Sequence, residues 1–179
     1  MVKVIIVNGC ATSGKDTFIR LCKDILGEDR VMNASSIDCI KKIATYGGWS
    51  GNKTPRDRKF LSDLKDLFTK WTNFPFKEVC KELKVFCDLL DFKKIKEDGA
   101  LFICVREPEE IKKFVDALDA TTIFVTRKEA EELETSNHAD EEVFDYTYDY
   151  WIDNNGTIED LKETAEFFLE TLDLKKEEN

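Results

Sequence analysis

The sequence has one histidine and three prolines, and none of its six cysteines is spaced as a C-x-x-C pair. A single imidazole and unsuitable cysteine spacing argue against a structural zinc site, so we expect free thiols. No tract rich in proline, glycine and serine interrupts the chain, and therefore no linker is predicted. The longest apolar run near the start, Val4–Val7, is followed at once by Asn8 and Gly9, and it is too short for a signal-peptide core or a membrane span. We therefore expect a cytoplasmic protein that does not bind membranes.

Positively charged residues are fewer than negatively charged ones. Over 179 residues, 27 lysines and arginines face 37 aspartates and glutamates, which gives a net charge of −10 at pH 7. A charge of this sign repels polyanions and disfavours a general nucleic-acid binder. Any phosphate must then be held by local donors instead of a basic face. The 42% of hydrophobic residues is typical of a folded globular protein and excludes wholesale disorder.

Hydrophobic periodicity predicts alternating strands and helices. Val2–Asn8 has the β-branched pattern of a buried strand, and apolar residues recur at helical spacing over Lys15–Leu26, before Gly27. Four further strands are predicted near Arg30–Ala34, Leu101–Val105, Thr121–Thr126 and Trp151–Asp153. Further helices are predicted over Ile37–Tyr46, Pro55–Trp71, Phe76–Leu90, Pro108–Leu118 and Thr157–Leu172. This alternation predicts an α/β fold with three α/β/α layers and a five-stranded parallel sheet.

The same pattern predicts one domain over residues 1–173. Three consecutive helices without a strand between them form an all-helical insertion over about 36–92. A polar, lid-like loop is expected over about 127–146, and residues 174–179 form a charged tail.

The motif with most chemistry lies between the first strand and the first helix. Gly9 to Lys15 fits G-x-x-x-x-G-K, the phosphate-binding loop of nucleoside triphosphate sites. Its glycines allow backbone N–H groups to turn towards phosphates, and Lys15 and the helix N-terminus add positive charge. We therefore predict an ATP site whose binding residues are Gly9, Ser13, Gly14, Lys15, Asp16 and Thr17.

Asp16 departs from the usual pattern, in which a serine or threonine follows the lysine. A carboxylate there could hold Mg²⁺ directly or through water, because Mg²⁺ prefers oxygen ligands and keeps much of its hydration shell. The alternative is a helix N-terminal carboxylate that only complements the helix dipole. Thr17, the next residue, retains a hydroxyl group.

Ser13–Thr17 (Ser-Gly-Lys-Asp-Thr) resembles the corresponding string of the deoxynucleoside monophosphate kinases, and the related animal phosphomevalonate kinases share its Gly-Lys-Asp variant. Cys104–Glu110 resembles their D-x-R-x-x-x-E segment, and His138–Glu141 resembles their H-x-S-E element. Asp149, Ile152 and Asn154–Thr157 resemble their terminal strand and turn. The resemblance implies a P-loop NTPase fold and transfer of the γ-phosphoryl group of ATP, with Mg²⁺, to a small phosphomonoester, above all a (deoxy)nucleoside monophosphate.

Two positions depart from the family pattern. Cys104 stands where the family has an aspartate, which leaves Asp16 or Glu107 to supply negative charge near the metal. The segment Lys128–Glu134 is acidic, so that Arg127 and Lys128 are the cations of the lid. His138 is a catalytic residue if its match is functional, but a histidine in a loop is more often a solvated residue.

The arginines indicate where phosphate groups would bind. Arg106 and Arg127 each follow a strand whose C-terminal end faces the ligand crevice, and we expect both to act on the transferred phosphoryl group. Arg56 and Arg58 open a helix of the insertion and could clamp the acceptor phosphate.

Asp38 is a further candidate substrate-binding residue. For each of these residues a surface ion pair, a solvated helix start or a helix cap is the alternative. The alternative function is a nucleotide-binding regulatory NTPase or switch with a protein partner. The sequence does not indicate an oligomeric state.

Overall fold

The computed structural model describes residues 1–131 and 144–174. Five strands form one parallel sheet in the order β2-β3-β1-β4-β5. The strands are β1 (Val2–Asn8), β2 (Val31–Ser35), β3 (Gly99–Cys104), β4 (Thr121–Thr126) and β5 (Tyr150–Asp153). The sequence prediction of a five-stranded parallel sheet is confirmed.

Helices cover both faces of this sheet, as the predicted three-layer fold requires. They are α1 (Lys15–Leu26), α2 (Asp38–Tyr46), α3 (Pro55–Thr72), α4 (Phe74–Phe92), α5 (Pro108–Leu118), α6 (Lys128–Glu131) and α7 (Ile158–Thr171). A short 3₁₀ helix, Glu28–Arg30, precedes β2. Among the residues that the structure describes, no helix combines the length and apolar character that a bilayer crossing needs.

The alternation of side chains along the central strands creates two cores. Ile5 and Val7 of β1 face α1 and α7, where Phe18 packs on Phe168 with ring centroids 5.7 Å apart. Val4 and Ile6 face the opposite side, which is covered by side chains of α4 and α5. Because successive residues of a strand point to opposite faces, a strand buried on both sides reads as a continuous apolar run.

The insertion lies between β2 and β3 and consists of α2, α3 and α4. Helix α3 begins with a capping box in which the Thr54 hydroxyl accepts the Asp57 N–H and the Asp57 carboxylate accepts the Thr54 N–H. Asn73 separates α3 from α4 in a left-handed conformation with φ of 56°. Helix α4 starts at Phe74, two residues before the predicted start at Phe76. Pro75 does not prevent this, because proline fits the first turn of a helix.

Element ends account for the remaining differences. Strand β3 starts at Gly99 instead of Leu101, because Gly99 pairs with Val2 in the sheet. Leu174, assigned to the charged tail by the sequence, is 1% exposed and packs in the core beneath α7. The packed chain thus extends one residue beyond the predicted boundary.

Candidate active site

The phosphate loop occupies residues 9–14, where β1 turns into α1. Asn8 ends the strand and is buried, and its side-chain oxygen accepts the Gly9 N–H at 2.8 Å. Its amide nitrogen donates to the Arg106 carbonyl at 3.1 Å and to the Tyr148 hydroxyl at 2.6 Å. Asn8 thus holds the start of the loop against Arg106, which lies two residues after the end of β3.

Both motif glycines are required by shape. Gly9 has φ of 144°, and a Cβ added to it would lie 2.4 Å from the Val125 carbonyl oxygen. Gly14 has φ of 97°, and its added Cβ would lie 2.2 Å from the side-chain nitrogen of Asn154. No side chain other than hydrogen fits either position, since L-residues avoid positive φ and these approaches are shorter than van der Waals contact.

Lys15 folds over the loop from the first turn of α1. Its ammonium nitrogen donates to the carbonyl oxygens of Gly9 and Cys10 at 2.7 and 2.6 Å. Burial lowers the pKa of Lys15 to about 8, and the positive charge of Arg106 adds to the lowering, whereas Asp16 opposes it. An anion placed at the loop would restore the protonated form, because an opposite charge within a few ångströms favours the charged state.

An open cavity of about 440 Å³ adjoins the loop. The phosphate loop and α1 contribute one wall, and Arg127 and the turn between β5 and α7 contribute the other. Its lining comprises Thr12, Gly14, Lys15, Asp16, Thr17, Arg127, Asn154, Gly156, Thr157 and Ile158. A volume of this size is typical of a small-molecule site, and the cavity extends from the predicted phosphate position.

Asp16 and Thr17 line this cavity in the first turn of α1. Asp16 is exposed, and its carboxylate is close enough to Lys15 to raise the pKa of that residue. Nucleotide-bound Mg²⁺ is commonly held by one or two carboxylates together with phosphate oxygens and water, and this oxygen set fits that pattern. Within the described ranges 1–131 and 144–174, no group of three or more His, Cys, Asp or Glu side chains is arranged to hold a metal.

Glu107, the other candidate carboxylate, has a different role. Its Oε2 accepts a hydrogen bond from the Lys65 ammonium at 2.7 Å. Cys104 ends β3, and burial raises its pKa to about 11, with Asp16 and Asp38 adding to the rise. At pH 7 the Cys104 side chain is therefore a neutral thiol. Of the two candidate carboxylates for the metal, Asp16 is the one that remains, because Glu107 is paired with Lys65.

The predicted arginines lie at three different places. Arg106 is half-buried beside Lys15, and its pKa is lowered by burial and also by the charge of Arg58. The charge of Arg58 thus acts on Arg106, although 48 residues separate them in sequence. Arg127 lines the cavity and forms an ion pair with Glu129 at 2.7 Å.

Arg56 and Asp38 are placed less directly. Arg56 is exposed on α3, two residues from Arg58, and positions two apart on a helix face different directions. Asp38 begins α2 and pairs with Lys41 at 2.8 Å, while its charge reaches Cys104. His138 and the other residues of its motif lie outside the described residues.

Two asparagine side chains that sequence reasoning did not select hold the phosphate loop, and a buried lysine lies on α3. Asn154 donates from its amide to the Ser13 carbonyl at 2.8 Å, and Asn8 organises the start of the loop as described above. Lys65 lies on α3 and is 8% exposed. The seven-residue spacing between Arg58 and Lys65, which places both on one side of a helix, is the available sequence signal.

Comparisons with known proteins found distant structural likenesses. The chain is similar to dephospho-CoA kinase from Campylobacter jejuni, with 16% identity and a TM-score of 0.48 over 96% of this chain and 97% of that one. It is similar to shikimate kinase from Aquifex aeolicus, with 14% identity and a TM-score of 0.47 over 97% and 99%. For shikimate kinase from Acinetobacter baumannii in complex with shikimate, the identity is 13% and the TM-score 0.47, over 96% and 93%. No protein-family model and no curated protein matched the chain.

Proposed function

We propose that this protein transfers the γ-phosphoryl group of ATP to a small phosphomonoester, with a (deoxy)nucleoside monophosphate as the preferred acceptor. The observation that carries the proposal is a phosphate loop with two cations beside it. The Lys15 ammonium donates to the loop carbonyls of Gly9 and Cys10, and the Asn8 amide joins the start of the loop to the main chain of Arg106. Cations gathered in this way suit a reaction that brings two phosphate groups together.

The two sides of the phosphate loop suit different ligands. On one side, the cavity lined by Arg127 and the β5–α7 turn adjoins Lys15 and has room for the nucleoside part of ATP. Arg106 follows β3 and Arg58 lies on α3 of the insertion, and neither lines this cavity. The acceptor phosphate would bind at these two arginines, and the γ-phosphoryl group would pass to it from the cavity side.

The reaction needs charge stabilisation more than acid–base chemistry. An oxygen of the acceptor phosphate attacks the γ-phosphorus, the bond from that phosphorus to the β,γ-bridging oxygen breaks, and ADP leaves. A phosphomonoester is already largely dianionic at pH 7, because its second pKa is about 6, so no general base has to remove a proton. Lys15 and Arg106 would oppose the negative charge that spreads over the transferring oxygens.

Magnesium would be held at Asp16, with Thr17 beside it, and when bound it neutralises phosphate charge. Asp16 contributes in its own right by offsetting the positive charge of Lys15. Arg58 would orient the acceptor phosphate through its guanidinium donors, which suit phosphate geometry. Asp38, at the start of α2, is the proposed hydrogen-bond acceptor for the rest of that ligand.

The test measures ADP formation from ATP with and without a mixed pool of nucleoside and deoxynucleoside monophosphates. We expect ADP to form at least about 100-fold faster with the pool, on the scale of the contribution that positioned groups make to phosphoryl transfer. Arg58→Met should raise the KM for the active acceptor about tenfold or more, as loss of a charged hydrogen bond does. Arg56→Met is the matched control and should change that KM less than about twofold, as expected for an exposed surface charge.

ADP formation at one rate with and without the pool would refute a nucleoside monophosphate kinase. It would favour the regulatory NTPase, in which the insertion meets a protein. The exposed apolar side chains Leu67 and Trp71 on α3, at 62% and 76% exposure, are the observation that keeps this second function open.

A further inference from the structure

A buried charged cluster lies where the helical insertion meets the sheet. The Lys65 cluster consists of Ser36, Lys65, Glu107 and Glu110. The Lys65 ammonium donates to Glu107 Oε2 at 2.7 Å and to Glu110 Oε2 at 2.6 Å. The Ser36 hydroxyl donates to the same Glu110 oxygen at 3.1 Å. These contacts join β2–α2, α3 and the start of α5, three elements that are distant in the sequence.

Ionisable side chains are seldom buried in proteins, and this cluster contains three of them. The side chains of Lys65 and Glu110 are 10% and 11% exposed, and Ser36 is 2% exposed. Burial alone would lower the pKa of Lys65, but the two carboxylates outweigh it and the pKa is raised, so the ammonium stays charged. Burial also favours a raised pKa at Glu107, but the charge of Lys65 outweighs it and the pKa is lowered. At Glu110 burial prevails over the charge of Lys65, and the pKa is raised.

Stability alone gives a weak reason for such a cluster. The desolvation of buried ions offsets most of their attraction, and apolar side chains of similar volume often stabilise a fold as well or better. What a hydrogen-bonded ion cluster provides is a fixed relative placement of the elements that carry it. A role for the cluster would therefore lie in the groups that this placement brings together.

Three of the four members of the Lys65 cluster share a chain segment with a residue proposed to bind a phosphate group. Asp38 follows Ser36 by two positions, and Arg106 immediately precedes Glu107. Arg58 precedes Lys65 by seven positions, which is close to two helical turns and places both on the same side of α3. The charge of Arg58 reaches Arg106, as expected when α3 is held against the start of α5.

We propose that Lys65 is a positioning residue that holds the helical insertion against the β3–α5 junction, so that Arg58 and Arg106 form one anion site for the acceptor phosphate. Lys65 itself does not touch the acceptor. This inference rests on the proposed function for the identity of the ligand, but the placement of the arginines can be tested without turnover.

The test uses inorganic phosphate as the probe. The protein is first saturated with a non-hydrolysable ATP analogue, so that the phosphate loop is filled, and phosphate binding is then measured by calorimetry. We expect the wild-type protein to bind phosphate and Lys65→Met to bind it at least about tenfold more weakly, which corresponds to about 1.4 kcal/mol. The affinity for the ATP analogue should change less than about twofold, since Lys65 does not line the nucleotide cavity.

Two further variants separate positioning from general stability. Lys59→Met removes a lysine on the same helix whose pair with Asp63, at 2.8 Å, is exposed, and it should bind phosphate like the wild type. Lys65→Arg keeps the charge and should recover part of the lost affinity. If Lys65→Met does not fold, Lys65→Met combined with Glu110→Gln removes the ammonium together with its most buried carboxyl partner and should fold, with the same loss of phosphate affinity.

Wild-type phosphate affinity in a folded Lys65 variant would overturn the inference, and so would failure of the wild-type protein to bind phosphate. If phosphate binding depends on Lys65 as expected and yet no phosphomonoester is phosphorylated, the kinase proposal fails while the positioning role of Lys65 is supported.

Discussion

The side-chain amide of Asn154 donates a hydrogen bond to the main-chain carbonyl of Ser13, and the two atoms are 2.8 Å apart. This bond connects the turn after β5 to the phosphate loop, although 141 residues separate the partners. The Asn154 side chain also lies against Gly14, leaving no room for a Cβ there. The shape of the loop therefore depends on the last strand of the sheet as well as on its own glycines.

Removing this connection should weaken nucleotide binding. Asn154→Ala is expected to raise the Kd for ATP about tenfold, because a hydrogen bond that orders a loop contributes about 1 kcal/mol or slightly more. Asn155→Ala is the matched control, since its side chain accepts the Lys128 N–H instead, and it should bind ATP almost normally. Equal ATP affinities for the two variants, measured by calorimetry, would contradict this role of Asn154.

Lys15 should be needed for catalysis more than for folding. Lys15→Ala is expected to keep the thermal stability of the wild type to within a few degrees and to lose at least about 100-fold in turnover, the scale of one strong transition-state charge contact. Circular dichroism melting and steady-state kinetics give the two readouts. Wild-type turnover in a folded variant would refute the phosphate-loop assignment.

The lowered pKa of Lys15 predicts proton uptake on nucleotide binding. With a pKa of about 8 in the free protein, Lys15 is partly deprotonated above pH 8, and bound phosphates favour its charged form. Binding of ATP should therefore take up protons between pH 8 and the ordinary lysine pKa of about 10.4, and almost none at pH 6.5. Calorimetry in two buffers that differ in ionisation enthalpy measures the uptake, and Lys15→Met should abolish it.

Asp16 should act through the metal. Asp16→Asn keeps the size of the side chain and removes its charge, so it should raise the magnesium concentration for half-maximal activity about tenfold. If Asp16 only complements the helix dipole, the variant instead loses stability by about 0.3–1 kcal/mol and keeps its magnesium dependence. A magnesium titration of both proteins distinguishes these outcomes.

Arg106 and Arg127 should affect rate more than binding. Arg106→Met and Arg127→Met are each expected to slow single-turnover transfer by tens- to hundreds-fold and to weaken ATP affinity much less, because charge spreads over the phosphoryl oxygens as the reaction proceeds. Glu129→Gln, which removes the ion-pair partner of Arg127, is the control and should not slow transfer. Unaltered rates in both arginine variants would favour the regulatory NTPase.

The framework of the fold could be predicted from sequence because its signals are local. Val2–Asn8 and Lys15–Leu26 have the bounds that periodicity predicted, since a β-branched run and a 3.6-residue apolar repeat define them. The predicted glycine and lysine positions of the phosphate loop come from a contiguous motif. The roles proposed for individual site residues stay predictions until the variants above are measured.

The Lys65 cluster could not be predicted in this way. A lysine on an amphipathic helix normally indicates a solvated face, and the partners of Lys65 are 42 and 45 residues away. Their contact depends on how α3 packs against the start of α5, which no local pattern records. The same reason explains why Arg56 and Arg58 looked equivalent in sequence and are not equivalent in the structure.

The order of the strands has a consequence for how the chain acquires its fold. The central strand β1 is the first to be synthesised, yet Val2 pairs with Gly99 and Ile5 pairs with Thr121. At about 5–20 residues per second, β1 waits about 5–20 s on the ribosome for its first sheet partner. During that interval β1 has no strand partner in the sheet, while the helices of the insertion can already form through local contacts. Formation of the sheet therefore depends on pairing between segments that are synthesised at different times.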